Sequence, residues 1–302
     1  MLKNKIRTPI TMDFSPKDSI KTNLTKILKT IKSFPIVLKP YEGAGSVGIQ
    51  IVNNEKDLTN ALQECSKIQK LNPTMSVKFL AQEYIDGEEG FLDFYSFNGK
   101  HLLTDAWIYN KQRVGNKTLY IGLVLNMKKT PLLAKAEAYC RKILDAIGYK
   151  WGPTHIEVKY DKKGVCLIEV NMRVMGTHSL PQQPVFFDYS TPELAFLSLT
   201  NSPLLSKYLN KNVYDKSKKL CQILYIIHSP YNFVAGKINV KKFVENLPTF
   251  KELISSIKTN DHVKQSGDLF DAIGEISLLG SEKQVKIDFE KIRKSWENDF
   301  KS

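Results

Sequence analysis

Residues 154–173 read Thr154-His155-Ile156-Glu157-Val158-Lys159-Tyr160-Asp161, then Lys162-Lys163-Gly164, then Val165-Cys166-Leu167-Ile168-Glu169-Val170-Asn171-Met172-Arg173. Successive side chains of a strand point to opposite faces, so each half sorts its residues into two sets. Ile156, Val158 and Tyr160 share an apolar face with Cys166, Ile168, Val170 and Met172. His155, Glu157 and Lys159 share the other with Glu169, Asn171 and Arg173. A three-residue connection ending in a left-handed Gly164 pairs Asp161 with Val165. Counting back from it, Glu157 stands opposite Glu169 and His155 opposite Asn171.

Two carboxylates directly opposed across a sheet repel, and the pair costs some tenths of a kcal/mol or more unless a positive group sits between them. Hard oxygen ligands of this kind suit magnesium, which is held by one or two carboxylates together with substrate phosphates. Arg173 presents a planar fork on the same face and can grip phosphate oxygens. The residues alone leave a second account open: a solvated polar face on which Lys159 neutralises the acids.

Two further segments carry chemistry. Lys39 ends the apolar strand Phe34 to Lys39, and the loop Pro40-Tyr41-Glu42-Gly43-Ala44-Gly45-Ser46-Val47-Gly48 leads into a second strand, Ile49 to Val52. An ammonium at the strand end can neutralise phosphates as a point charge. Gly43, Gly45 and Gly48 let backbone approach them closely, and Ser46 adds a hydroxyl. Glycines between two strands differ from the P-loop and dinucleotide arrangements, where they lead into a helix. The stretch Gln82-Glu83-Tyr84-Ile85-Asp86-Gly87-Glu88-Glu89 ends a strand at Val77 to Tyr84. It can offer backbone to a base and a carboxylate to a ribose, or serve simply as an acidic turn.

Around these segments the pattern predicts a helix from about Ser15 to Ile31, with Ser15 as cap and Pro16 at the first position. A helix through Leu58, Leu62 and Cys65 follows, then a hairpin of Phe91–Phe97 and His101–Trp107 about Asn98-Gly99. A helix at 131–147 stops at Gly148. Thr191-Pro192-Glu193 begins another, and two more are expected near 247–257 and 281–299.

Composition excludes several classes. The chain has 302 residues and 42% apolar content, enough for an ordered core. No apolar stretch approaches the roughly 20 residues that span a bilayer, and the basic start has no apolar leader, so a cytoplasmic, non-membrane protein is expected. Cys65, Cys140, Cys166 and Cys221 are too scattered for a metal or redox pair. The net charge of +13 favours anionic partners. It comes from dispersed lysines without interleaved aromatics, which argues against nucleic acid.

Taken together and in this order, strand-Lys39-Pro40 with its glycine loop, the hinge Glu83 to Glu89, and Glu157 with Glu169-Val170-Asn171-Met172-Arg173 resemble the ATP-grasp superfamily. Gly152-Pro153-Thr154-His155-Ile156-Glu157 looks most like its carboxylate-amine ligase branch, which includes bacterial L-amino-acid ligases. Biotin carboxylase and D-alanine:D-alanine ligase are more distant. Gly267-Asp268 to Gly274-Glu275-Ile276 resembles that branch's C-terminal region.

The resemblance implies an α+β ATP-grasp fold, two α+β subdomains clamping a nucleotide. Residues 1–190 would be the ATP-grasp domain, with subdomains of about 1–85 and 86–190, and 191–302 a small C-terminal α+β region. Lys39 would contact the α- and β-phosphates while the Gly43 to Gly48 loop, with Gly45 and Ser46, closes over the triphosphate. The hinge residues Gln82, Glu83, Tyr84 and Ile85 would hold adenine, Gln82 and Ile85 through their backbone, with Glu89 on the ribose. Glu157, Glu169 and Asn171 would bind magnesium, two ions, with manganese an acceptable substitute. Arg173 would stabilise an acyl phosphate, and Lys39 and Arg173 form the catalytic pair. His155, Arg173, Gly176 and His178 are the substrate candidates.

By the same resemblance a Rossmann-like domain of about one hundred residues, then a helix with another phosphate-binding lysine, should come first. Thr8-Pro9 reads as the segment after that helix, and residues 1–33 offer no substitute for its lysine. Gln82 stands where a glutamate is common, and Met175 where a glycine is frequent. The implied function is ATP-dependent ligation of a small carboxylate to an amine, amino acids above all, through an acyl phosphate. The alternative is a non-catalytic or partner-dependent ATP-binding module, completed by a second copy or by a chain supplying the absent domain.

Overall fold

The computed structural model describes residues 2–42, 47–71, 78–114, 117–126, 128, 130–176, 189–200, 202–209, 221–229, 232–234, 244–255, 257–258, 260–266 and 269–299. It is a mixed α+β fold.

The first sheet has the order β1 (Thr11–Phe14), β4 (Phe79–Glu83), β2 (Ile36–Pro40), β3 (Gln50–Val52). Its ladders are antiparallel. Helices α1 (Ile20–Thr30) and α2 (Glu55–Leu71) pack on one face. Ile27, Ile31, Leu58, Leu62 and Cys65 meet Ile36, Leu38, Phe79 and Ala81 there in a single core. Because side chains alternate, sending Ile36 and Leu38 inward leaves Val37 and Lys39 on the other face, beside their partners Gln82 and Leu80.

Helix α1 begins later than the sequence suggests. Ser19 is the cap, its hydroxyl accepting from the Thr22 amide at 3.1 Å. Ser15 instead closes a turn through a bond from the Asp18 amide to its carbonyl. Ser19 stands one turn before Asn23, which is buried and ties back to the Ser15 carbonyl.

The second sheet has the order β12 (Phe250–Ser255), β14 (Gly274–Gly280), β10 (Cys221–Ile227), β7 (Lys117–Leu125), β6 (Lys100–Val114), β5 (Glu88–Phe97), β8 (Trp151–Asp161), β9 (Gly164–Asn171). Asn98-Gly99 makes the expected two-residue turn, with φ of 49° and 74°. Helix α3 (Pro131–Ala146), capped by Thr130 and ended at Gly148, packs against this sheet, as does α4 (Thr191–Leu199), capped by Ser190. A short helix α5 (Ser206–Leu209) follows α4, and β11 (Phe233–Val234) pairs with β13 (His262–Val263) apart from the large sheets. Helix α6 (Glu282–Asp299) covers β10 and β14 through Val285, Phe289 and Ile292.

One predicted helix is a strand. Residues 250–255 form β12, paired with β14 across a bulge at Phe250/Glu252. Leu253 and Ile254 fit both periodicities in so short a run, and pairing with β14 decides between them. No described helix is long and apolar enough to cross a membrane.

The decisive hairpin also departs from the expected turn. Asp161 pairs with Gly164, not Val165, so the connection is the two residues Lys162 and Lys163. A bulge then places Ile168 out of register, since Val158 faces Leu167 while Glu157 faces Glu169. The two differences cancel, and His155 still faces Asn171. Between turn and bulge the faces are exchanged. Leu167 joins Val158, Cys166 stands opposite Lys159, and Met172 is 64% exposed where an apolar contact was expected. The Leu167 amide donates to the Tyr139 hydroxyl of α3 at 2.7 Å, so a side chain takes up a donor at the bulge. Arg7 closes the turn end, donating to both Asp161 oxygens at 2.7 and 2.5 Å.

Candidate active site

The polar face of the second sheet gathers groups from four adjacent strands. Register places Trp107, Phe91, Glu157 and Glu169 in one row and Asp105, Asp93, His155 and Asn171 in the next. Glu157 is half-buried and Glu169 exposed. The Glu157 Oε1 atom lies 3.4 Å from the Tyr109 hydroxyl and 3.4 Å from His155 Nε2. Burial alone would raise the Glu157 pKa, but the His155 bond and charge, with Lys111, Tyr109 and the surrounding field, hold it below the ordinary value.

His155 Nδ1 lies 2.8 Å from Asp93 Oδ1, both side chains nearly inaccessible. Burial pulls the imidazolium down, but Asp93 and Glu157 outweigh it and keep its pKa up at about 10. Asp93 is raised by burial despite His155 and Arg173, and Asp105 is pushed by burial and by Asp93 to about 7. The Asp105 carboxylate accepts from the Thr104 hydroxyl at 2.6 Å and from Trp107 Nε1 at 2.9 Å.

A second group of charges lies along the same face toward the hinge. Glu89 is clasped by Lys111, and Lys159 Nζ stands 3.6 Å from its other oxygen. Lys159 also donates to the Ile85 carbonyl at 3.0 Å and lies 4.8 Å from the Tyr84 ring centre. It therefore serves Glu89 and the hinge, so its pairing does not account for the opposed acids Glu157 and Glu169. Lys111 lies over the Tyr120 ring at 4.0 Å. Tyr84, Ile85 and Asp86 leave the strand β4, and Gly87 passes so close to β8 that an added Cβ would meet the Tyr160 carbonyl oxygen at 2.2 Å.

The residues expected from the sequence are distributed as follows. Glu157, Glu169, Asn171, His155 and Glu89 share the polar face. Arg173, just beyond β9, is exposed and donates to the Val174 carbonyl at 2.9 Å. Lys39 lies on the face of the first sheet opposite α1 and α2 and is partly buried. Gln82 is flanked by Thr11 and Val37, its side chain donating to the Thr11 hydroxyl, and the Glu83 amide bonds the Ile10 carbonyl. Gly48 has φ of 75° and sits against the Pro40 ring. Gly176 is exposed. Gly43, Gly45, Ser46, His178, Gly267 and Asp268 fall outside the described residues.

Asp93, Asp105, Tyr109 and Lys111 were missed in the sequence. The signal was present: Asp93 and Asp105 are charged residues inside apolar strands, and such residues are buried only when paired. Their meeting with His155 depends on β5 lying between β6 and β8, which no local pattern states.

Two carboxylates and an amide oxygen are a hard donor set suited to magnesium. Among the described residues no group of three or more His, Cys, Asp or Glu is placed to hold a metal ion. A Ser96–His101–Asp145 arrangement on the helix-covered face, with 2.7 and 3.3 Å contacts, has the composition of a hydrolytic triad. Its serine is fully buried, so no substrate reaches it, and the bonds are structural.

A family model described as "ATP-grasp domain" matches residues 32–181, which contain Lys39, the hinge, the acidic hairpin and Arg173. Dapdiamide A synthase of Enterobacter agglomerans is 29% identical over 146 residues, 47% of this chain and 34% of that protein. The chain thus spans about a third of the length of that relative. The L-amino acid ligase of Bacillus licheniformis superposes with a TM-score of 0.73 at 17% identity, over 97% of this chain and 69% of that one. The biotin carboxylase domain of Hydrogenobacter thermophilus 2-oxoglutarate carboxylase, solved with MgADP, gives 0.62 at 16% identity, over 93% and 60%. At these identities the two structures show a shared fold.

Proposed function

From the premise that residues 32–181 are an ATP-grasp domain, we propose that the chain is the nucleotide-binding and catalytic part of an ATP-dependent carboxylate-amine ligase acting on amino-acid substrates. The observation that carries it is the pairing of Glu157 with Glu169 on a face that also bears Asn171, with Arg173 just beyond. Opposed carboxylates of this kind are compensated when a divalent cation and phosphates occupy the space before them.

In this reading the lobes of about 1–85 and 86–190 hold ATP between them. Lys39 and the Gly43 to Gly48 loop contact the phosphates, and the hinge backbone holds adenine. The Ile85 carbonyl has a second lone pair beyond the one Lys159 uses, and the Glu89 carboxylate has acceptor sites beyond its two lysines. Both can therefore still meet a nucleotide. Glu157, Glu169 and Asn171 hold magnesium, which when bound offsets phosphate charge. A substrate carboxylate oxygen attacks the γ-phosphorus and ADP leaves. The amine then attacks the acyl carbon and phosphate leaves. Arg173 places its fork on the acyl phosphate oxygens, where charge is greatest. Gly176 and His178 are the residues assigned to substrate contact in this reading.

The test is phosphate release and product mass measured with MgATP across pairs of amino acids. Release that depends on two amino acids, with a product of summed mass less water, supports the ligase. MgATP binding without release under any pair would reduce the chain to a nucleotide-binding module.

A further inference from the structure

Resting on the reading of Glu157 as a magnesium ligand, we propose that Asp93, acting through His155, is a positioning residue that sets the orientation of the Glu157 carboxylate for the metal.

The three groups form one line of contacts across the sheet. Asp93 and His155 are register partners on β5 and β8 and are only 2% and 4% exposed. The imidazole meets Asp93 Oδ1 at 2.8 Å through Nδ1 and Glu157 Oε1 at 3.4 Å through Nε2. The imidazole thus bridges the two carboxyl groups, one through each ring nitrogen. The ring is also fixed from its face, with the Phe91 ring centre 4.4 Å away, and Phe91 is itself the β5 register partner of Glu157. Bond and ring together leave the imidazole little freedom about χ2.

Burying Asp93 beside a second buried acid, its β6 register partner Asp105, opposes folding. An apolar pair at these positions would be the cheaper way to build a core. What the arrangement gains is at its outer end. Oε1 of Glu157 is engaged by His155 and Tyr109, which fixes the direction of the carboxylate beside its register partner Glu169. Partners behind metal ligands change affinity by about 10- to 100-fold when removed.

Asp93→Asn keeps the shape and removes the charge. Calorimetry of ADP binding to the full chain, with magnesium and separately with EDTA, should show a 10- to 100-fold loss confined to the magnesium arm. His155→Gln, which keeps one amide donor within reach of Glu157, should lose less than His155→Ala in the same arm. This second series stands on its own if the asparagine variant does not fold. Equal losses with and without magnesium, or an unchanged magnesium dependence in both series, would overturn the proposal alone. A wild-type protein whose ADP affinity ignores magnesium would overturn the ligand reading and this proposal with it.

Discussion

Glu157 faces Glu169 across β8 and β9, the first half-buried and bonded to His155 and Tyr109, the second open to solvent. The inner carboxylate has its position set by the protein, whereas the outer one is free to turn toward a ligand. Glu169→Gln should therefore leave the thermal midpoint within about 2 °C of wild type, as expected of an exposed substitution. It should also abolish the magnesium dependence of nucleotide binding. Undiminished magnesium-dependent ATP binding by this variant would remove the pair from the metal site.

Arg173 is exposed and donates a hydrogen bond to the neighbouring Val174 carbonyl. Arg173→Lys keeps the charge and loses the fork, so the rate of the chemical step should fall by more than ATP affinity does. Single-turnover rates set beside calorimetric Kd values make the comparison. Equal losses would assign the residue to nucleotide binding.

Lys111 and Glu89 form a pair whose side chains are 20% and 11% exposed. Removing the lysine leaves the carboxylate with Lys159 as its cation among the described residues and should cost about 1–3 kcal/mol, the cost of a poorly compensated buried group. Glu89→Gln with Lys111→Met should recover part of that loss. In a denaturation cycle of the two single variants and the double, strictly additive losses would show that the pair is not coupled.

Gly87 has no room for a methyl group, because its Cβ would fall 2.2 Å from the Tyr160 carbonyl oxygen. Gly87→Ala should destabilise by about 1–3 kcal/mol, as overpacking against backbone does. It should also weaken adenosine binding by displacing Ile85. Wild-type adenosine affinity in a folded alanine variant would dissociate the turn from the nucleotide.

Asp105 titrates near 7 in the folded chain, against 3.8 ordinarily, because burial and Asp93 disfavour its charge. Between these values the folded state holds a proton that the unfolded state has lost, so this group makes stability fall as pH rises from about 4 to 7. Asp105→Asn should flatten that slope whatever its constant cost in hydrogen bonds to Thr104 and Trp107. An unchanged slope in urea midpoints taken across this range would show that another group carries it.

Periodicity made the chemistry-bearing hairpin legible because each strand alternates regularly and ends in turn residues. The pairing of Glu157 with Glu169 emerged from the wrong turn, since the bulge at Ile168 depends on a hydroxyl that Tyr139 brings from α3. That acceptor is 28 residues away in sequence, and no local count reveals it. The same limit hid Asp93, whose partners arrive from β6 and β8. Residues 250–255 failed for another reason: a six-residue run with two adjacent apolar residues carries no period of its own, and β14 supplied the answer. Ser15 misled because two serines four residues apart both offer caps, and Ser19 holds the Thr22 amide.

The second sheet does not respect the limits of the ATP-grasp match. Residue 181 comes after β9, yet β7 inside the matched region is paired along Gly122–Val124 with β10, which begins at Cys221. A fragment cut to residues 32–181 would leave those backbone groups facing water on a bare flank open to a neighbouring molecule's strand. On the opposite side of the match, β4 would lose β1. The length that the family model matches and the length that completes the two sheets are different, so a fragment meant to keep both sheets whole must extend beyond the match on both sides.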